Sequence, residues 1–116
     1  MGESYKDLLV WQRAIEMTLA IYRLTESFPK DERFGLTSQL RRAGVSVASN
    51  IAEGYGRLST GEYKQFLGMA RGSNLEVQTQ LVIARELGFG NLEQLAKADD
   101  LSQEVARMLI ALLRKL

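Results

Sequence analysis

Apolar residues recur along this chain at steps of three and four, the period of an α-helix seen from one side. The first run, Leu8, Trp11, Ile15, Leu19 and Tyr22, predicts a helix from about Tyr5 to Phe28. Phe28-Pro29 ends it, because the residue before a proline is pushed out of the α region, and Lys30 or Asp31 opens the connection. The second run, Leu36, Leu40, Ala43, Val47, Ile51 and Tyr55, predicts a helix starting between Asp31 and Leu36. It ends among Gly54, Gly56 and Arg57, where glycines raise the cost of continuing. Ser59-Thr60-Gly61-Glu62 reads as a capping box for a third helix. In it the Ser59 hydroxyl accepts from the amide of residue 62, and Glu62 reaches back to the amide of residue 59. The third stripe is Tyr63, Phe66, Leu67, Ala70, Val77, Leu81, Ala84 and Leu87. Gly88 and Gly90 around Phe89 mark a turn. Asn91, with Gln94 three residues on, caps a fourth helix carrying Leu92, Leu95, Ala98, Val105, Met108, Leu109, Leu112 and Leu116. Asp99-Asp100 leaves that stripe in phase, so one helix is expected there. Strand-like alternation is absent. Long helices on short connections pack as antiparallel neighbours. The expected fold is therefore all-α, an antiparallel up-down-up-down four-helix bundle in a single domain over residues 1–116.

Composition narrows the chemistry more than the fold. The chain contains neither cysteine nor histidine. Disulfides, thiolate nucleophiles and Cys/His zinc sites are excluded. So are a histidine general base and the Glu-x-x-His pairs of di-iron bundles. An enzyme would have to work with Glu53, Arg57 and Tyr55 or Tyr63, and a carboxylate without a partner is a thin basis for acid–base chemistry. The expectation is a non-enzymatic protein with no cofactor and no metal site. No apolar run approaches the ~18 to 20 residues of a membrane span. The polar start, Met1 to Asp7, lacks the apolar stretch of a secretory signal, which leads to a cytoplasmic location and no membrane partner.

The formal net charge is +1, but it is unevenly spread. Residues 33–73 hold six bases (Arg33, Arg41, Arg42, Arg57, Lys64 and Arg71) against two acids (Glu53 and Glu62), while the segments on either side are net acidic. The middle of the chain is thus the part with any attraction for a polyanion.

Two patterns fall inside this basic segment. Small residues form ridges: Gly44, Ala48 and Ala52 on the second helix and Gly68 and Gly72 on the third, each at four-residue steps. Glycine inside a helix costs roughly 0.5–1 kcal/mol relative to alanine, so a compensating close contact is expected. Two readings stand, namely packing of the second helix on the third within one subunit, or close helix contact between subunits. Gly72→Leu separates them, disrupting folding in the first case and only assembly in the second. The other pattern is polar. Gln39, Arg42, Ser46, Asn50, Glu53 and Arg57 follow one another at three- and four-residue steps, with Arg41, Lys64 and Arg71 nearby in sequence. Arginine binds phosphate or carboxylate bidentately, and Asn, Gln and Ser add adaptable hydrogen bonds. The strip is either a recognition face or a structural network in which Asn50 caps a neighbouring helix and Arg57 pairs with Glu53. Trp11, on an apolar stripe, is expected in the core. Tyr5, Tyr55 and Tyr63 are expected to pack at helix ends.

Several ordered elements resemble a known family. They are Asp7-Leu8-x-Val10-Trp11-Gln12, Tyr22-x-Leu24-Thr25-x2-Phe28-Pro29-Lys30-x-Glu32-Arg33-Phe34-Gly35-Leu36-x2-Gln39-x-Arg41-Arg42-Ala43, Ser46-Val47-x-Ser49-Asn50-Ile51-Ala52-Glu53-Gly54-x-Gly56-Arg57 and Phe66-Leu67-x2-Ala70-Arg71-Gly72-Ser73-x2-Glu76. Together they resemble the 23S rRNA intervening-sequence protein family of bacterial four-helix bundles. That family is itself similar to the accessory variability protein of diversity-generating retroelements, a homopentameric barrel that binds nucleic acid and a reverse transcriptase. The resemblance implies a homo-oligomer, with five subunits expected, and binding of RNA or DNA or of a partner protein. It implies no reaction. The motif positions it carries over are Gln39, Arg41, Arg42, Ser46, Asn50, Glu53, Gly54, Arg57, Arg71 and Ser73. The competing expectation is a protein-only scaffold whose Arg41 or Arg42 is buried against carboxylates.

Overall fold

The computed structural model describes residues 4–116; Met1 to Glu3, part of the polar start, lie outside the described residues. Four helices, α1 (Leu9–Thr25), α2 (Leu36–Tyr55), α3 (Thr60–Leu87) and α4 (Leu92–Lys115), are preceded and interrupted by single 3₁₀ turns at Tyr5–Asp7 and Lys30–Glu32. Each helix packs on the next in sequence, and α1 also packs on α4. The result is a closed four-helix bundle of 43 × 22 × 22 Å. Among the described residues no helix is long and apolar enough to cross a membrane.

The helix ends follow from local chemistry. Ser59 Oγ accepts from the Glu62 amide at 3.1 Å, and Asn91 Oδ1 accepts from the Gln94 amide at 3.0 Å. The return half of the Ser59 box does not form, because Glu62 Oε1 takes the Ser59 hydroxyl itself at 3.3 Å. Gly88 closes α3 in the left-handed region, φ 74°. There the Phe89 amide reaches the Ala84 carbonyl and the Gly88 amide the Arg85 carbonyl, a Schellman closure that only glycine makes without strain. The first helix is shorter than its apolar run. Ser4 and Asp7 cap each other across the Tyr5–Asp7 turn, and Leu8 is extended, so α1 starts at Leu9. At its far end Thr25 turns its hydroxyl back to the Ile21 carbonyl at 2.8 Å, and the α-helix stops ahead of Phe28-Pro29. α2 is capped from outside, the Leu36 amide donating to Glu32 Oε1 at 2.9 Å.

The core is built from Val10, Ala14, Met17, Ile21 and Leu24 of α1, Leu40, Val47 and Ile51 of α2, Leu67, Ala70, Val77 and Leu81 of α3, and Leu95, Ala98, Val105 and Leu109 of α4. Each large member contributes roughly 1.5–3 kcal/mol by leaving water. On α1 this corrects the expected stripe. Leu19 and Tyr22 are 48% and 41% exposed, and Trp11 is half-buried against the edge of the core, edge-on to Tyr5 at 5.3 Å. The helix is apolar over a wide arc, and the small or flexible Ala14 and Met17, not the indole, fit where helix axes lie about 8–10 Å apart. Leu87 and Leu92, also assigned to inner stripes, flank the α3–α4 turn and are exposed.

One polar pair sits within this core. Asn74 and Ser102 are 1% and 0% exposed. Asn74 Nδ2 donates to the Ser102 carbonyl at 2.9 Å, and the Ser102 hydroxyl donates to Asn74 Oδ1 at 2.8 Å. The bonds join α3 to α4 in a fixed register. In the sequence each simply interrupts an apolar stripe.

Candidate functional site

At about 100° per residue, neighbouring positions on a helix face different partners, and this divides the basic segment. Gln39, Arg42 and Ser46 point from α2 toward α3, where they line a groove of about 450 Å³ with Ala43, Glu76 and Gln80. Farther along, Ser46 Oγ and Ser73 Oγ share a hydrogen bond of 2.9 Å across the two helices. Asn50 Nδ2 donates to the Ser46 carbonyl at 2.9 Å and to Ser46 Oγ at 3.0 Å. Asn50 therefore bonds back to its own helix and does not cap a neighbouring one. Gln80 Nε2 reaches Gln39 Oε1 only at 3.5 Å, and Gln80 Oε1 is buried without a hydrogen-bond partner. Arg42 is exposed and has no ion pair within 4.0 Å to another described residue. The groove thus presents amides, hydroxyls, one uncommitted guanidinium and one carboxylate, Glu76.

The other cations of the basic segment lie elsewhere. Arg41 faces α1. Its Nε donates to Thr25 Oγ1 at 2.8 Å and its Nη2 to the Tyr22 carbonyl at 3.4 Å, and the guanidinium lies 4.6 Å from the Tyr22 ring centroid. Neither Arg41 nor Arg42 is buried against a carboxylate among the described residues. Arg57, in the α2–α3 turn, sits over the Phe66 ring at 4.4 Å rather than pairing with Glu53. Lys64 and Arg71 are exposed and two turns apart, on a flank of α3 about 160–180° from Ser73 and Gln80. Within one subunit the basic segment therefore forms no single patch. The shortest ion pairs among the described residues are outside it, where Arg13 meets Glu16 at 2.8 Å and Glu104 at 3.1 Å. Those contacts hold the Arg13 guanidinium above its usual pKa, mainly through the hydrogen bond to Glu104.

The glycine ridges also separate. Gly44 is buried against α1, where an added Cβ meets the flexible end of Ile21 at 3.1 Å and Thr18 Oγ1 at 3.4 Å. Ala48 and Ala52 border a shallow apolar groove between α1 and α2 with Trp11 and Ile15. Gly68 and Gly72 face outward, and a Cβ on either meets nothing within 4 Å. Packing of one ridge on the other within the subunit is overturned. The close α2–α3 approach belongs to Gly54, where a Cβ falls 2.8 Å from Phe66 Cβ and 3.1 Å from Tyr63 Cδ1. Beside it the Tyr55 and Tyr63 rings meet edge-to-face at 6.1 Å, and burial pushes the Tyr63 phenol above its usual pKa. Among the described residues no three acidic side chains gather as metal ligands would.

Fold and groove together define a four-helix-bundle protein with a polar groove between α2 and α3. The chain belongs to the 23S rRNA-intervening sequence protein family, whose model matches residues 6–111. Its fold is also similar to the crystal structure, at 1.70 Å resolution, of a protein of unknown function from the S23 ribosomal protein family of Bacteroides thetaiotaomicron VPI-5482. The TM-score is 0.80 at 21% identity, over 90% of this chain and 98% of that one. No curated protein matches the sequence.

Proposed function

We propose that this protein is a non-enzymatic cytoplasmic homo-oligomer that binds RNA, or a ribonucleoprotein, along the α2–α3 groove. The observation that carries the reading is the groove itself, with Arg42 free of any carboxylate within ion-pair distance among the described residues. Arginine suits a phosphate, and amide side chains suit base edges and ribose hydroxyls.

Assembly is supported by the outer face of α3. Gly68 and Gly72 meet nothing inside the subunit, yet each costs roughly 0.5–1 kcal/mol of helix stability. Met69 and Leu75 beside them are 44% and 50% exposed. A second copy seated there would offset that cost by close helix contact. The likeness to the accessory variability protein favours five subunits, which would repeat each polar groove around a ring.

Binding of a structured RNA, followed by fluorescence anisotropy, is expected to weaken as salt rises from about 50 mM to about 200 mM. Arg42→Ala is expected to lower affinity at the lower salt by about five- to ten-fold and to flatten the log–log salt slope by about 0.9 for each phosphate left unneutralised. RNA retention that ignores both salt and Arg42, or no retention at either salt, would count against the proposal and for a protein partner.

A further inference from the structure

The turn between α1 and α2 carries an arrangement that the α2–α3 groove does not use. Phe34 is 87% exposed on a segment held at both ends. Pro29 precedes the Lys30–Glu32 turn, and Glu32 Oε1 fixes the Leu36 amide at 2.9 Å. The Arg33 guanidinium lies 5.3 Å from the Phe34 ring centroid, backing one face of the ring and leaving the other to solvent. Beside the ring is a cleft of about 580 Å³, lined among others by Lys30, Arg33, Arg41 and one acid, Glu26. None of these three cations makes an ion pair with another described residue. Arg41 is anchored through Nε and Nη2, and its Nη1 makes no hydrogen bond to a described residue.

We propose that this turn is a single-strand nucleic-acid site, in which the open face of Phe34 stacks on an unpaired base while Lys30, Arg33 and Arg41 hold the flanking phosphates. A protein-docking surface of useful strength presents a contiguous apolar patch. Here a strongly exposed aromatic ring, Phe34, stands among cations, the combination that binds single strands through stacking and charge. Bases of a duplex are stacked on one another and cannot reach the ring, so the ligand is a loop, bulge or free end. The inference rests on the proposed function only in taking nucleic acid as the ligand, and its site is separate from the groove.

The test is anisotropy titration of the whole protein with a labelled single-stranded oligoribonucleotide and with the duplex of the same sequence. The variants are Phe34→Ala, Phe34→Trp and Arg42→Ala, and solution mass is recorded for each. Phe34→Ala is expected to weaken single-strand binding by about ten-fold or more while leaving duplex binding and mass unchanged. Phe34→Trp is expected to retain or strengthen single-strand binding. If Phe34→Ala binds the single strand as the parent does, while Arg42→Ala weakens binding, this site is wrong and the groove proposal survives. If Phe34→Ala instead lowers the solution mass, Phe34 is a subunit contact and the site is equally wrong. If the parent binds neither nucleic acid, both proposals fail.

Discussion

Replacing Asn74 by alanine is expected to destabilise the bundle by about 2–4 kcal/mol, a large share of the ~5–15 kcal/mol that holds a domain of this size. The side chain is fully enclosed and gives and takes one hydrogen bond with Ser102. Its removal opens a void and also strands the Ser102 hydroxyl in a dry interior, where an unpaired polar group costs about 1–3 kcal/mol. Ser102→Ala should cost less, because it leaves only Asn74 Oδ1 without a donor. The double variant Asn74→Leu with Ser102→Ala should recover most of the loss, since replacing both partners by apolar groups of similar shape is nearly neutral. Denaturant unfolding followed by circular dichroism measures all three. A double variant no more stable than Asn74→Ala would mean that the pair contributes something other than mutual satisfaction.

The second large effect is expected at Gly54. A methyl group there lies 2.8 Å from Phe66 Cβ, an atom fixed to the α3 backbone that cannot swing away as a side-chain tip does. Gly54→Ala gains roughly 1 kcal/mol of helix propensity, but it forces α2 and α3 apart at a close contact. A net loss of about 1–3 kcal/mol is expected. Gly54→Leu should leave little folded protein. Gly44→Ala is the control. Its nearest obstacle is the mobile Cδ1 of Ile21 at 3.1 Å, and the expected change is under about 1 kcal/mol. Thermal melts of the three variants rank them directly, and equal losses at Gly54 and Gly44 would contradict the geometry.

These two residues also mark how far the sequence could be read. The four elements were legible because a period near 3.6 and the caps Ser59, Gly88 and Asn91 act locally. The facing of α1 was not, because that helix is apolar over so wide an arc that Trp11 and Met17 compete for the core. Only the neighbouring helices decide between them. The small-residue ridges were visible as ridges, but a ridge carries no label for its partner. Gly44 meets α1, Gly54 takes the α2–α3 contact, and Gly68 and Gly72 meet nothing in the subunit. In the polar strip, four-residue spacing correctly joins Arg42, Ser46 and Asn50. The count of basic residues suggests a common surface, which one-residue steps of about 100° prevent. Arg41 and Arg42 are adjacent in sequence and face different helices. Glu76 and Gln80 were not legible as groove residues. They lie on α3, and no periodicity within α2 points to them. Asn74 and Ser102 carry the only signal of their buried pair, a polar residue on each of two otherwise apolar stripes.

Assembly through the bare outer face of α3 is the central claim about how the protein is built beyond one subunit. Light scattering of the purified protein beside its Gly72→Leu variant tests it most directly. The expected result is a mass several times the 13.0 kDa of one chain, with five-fold expected, and a variant that keeps its helical circular dichroism yet falls to a smaller species. A parent protein that remains a single chain, or a variant that assembles unchanged, would contradict it.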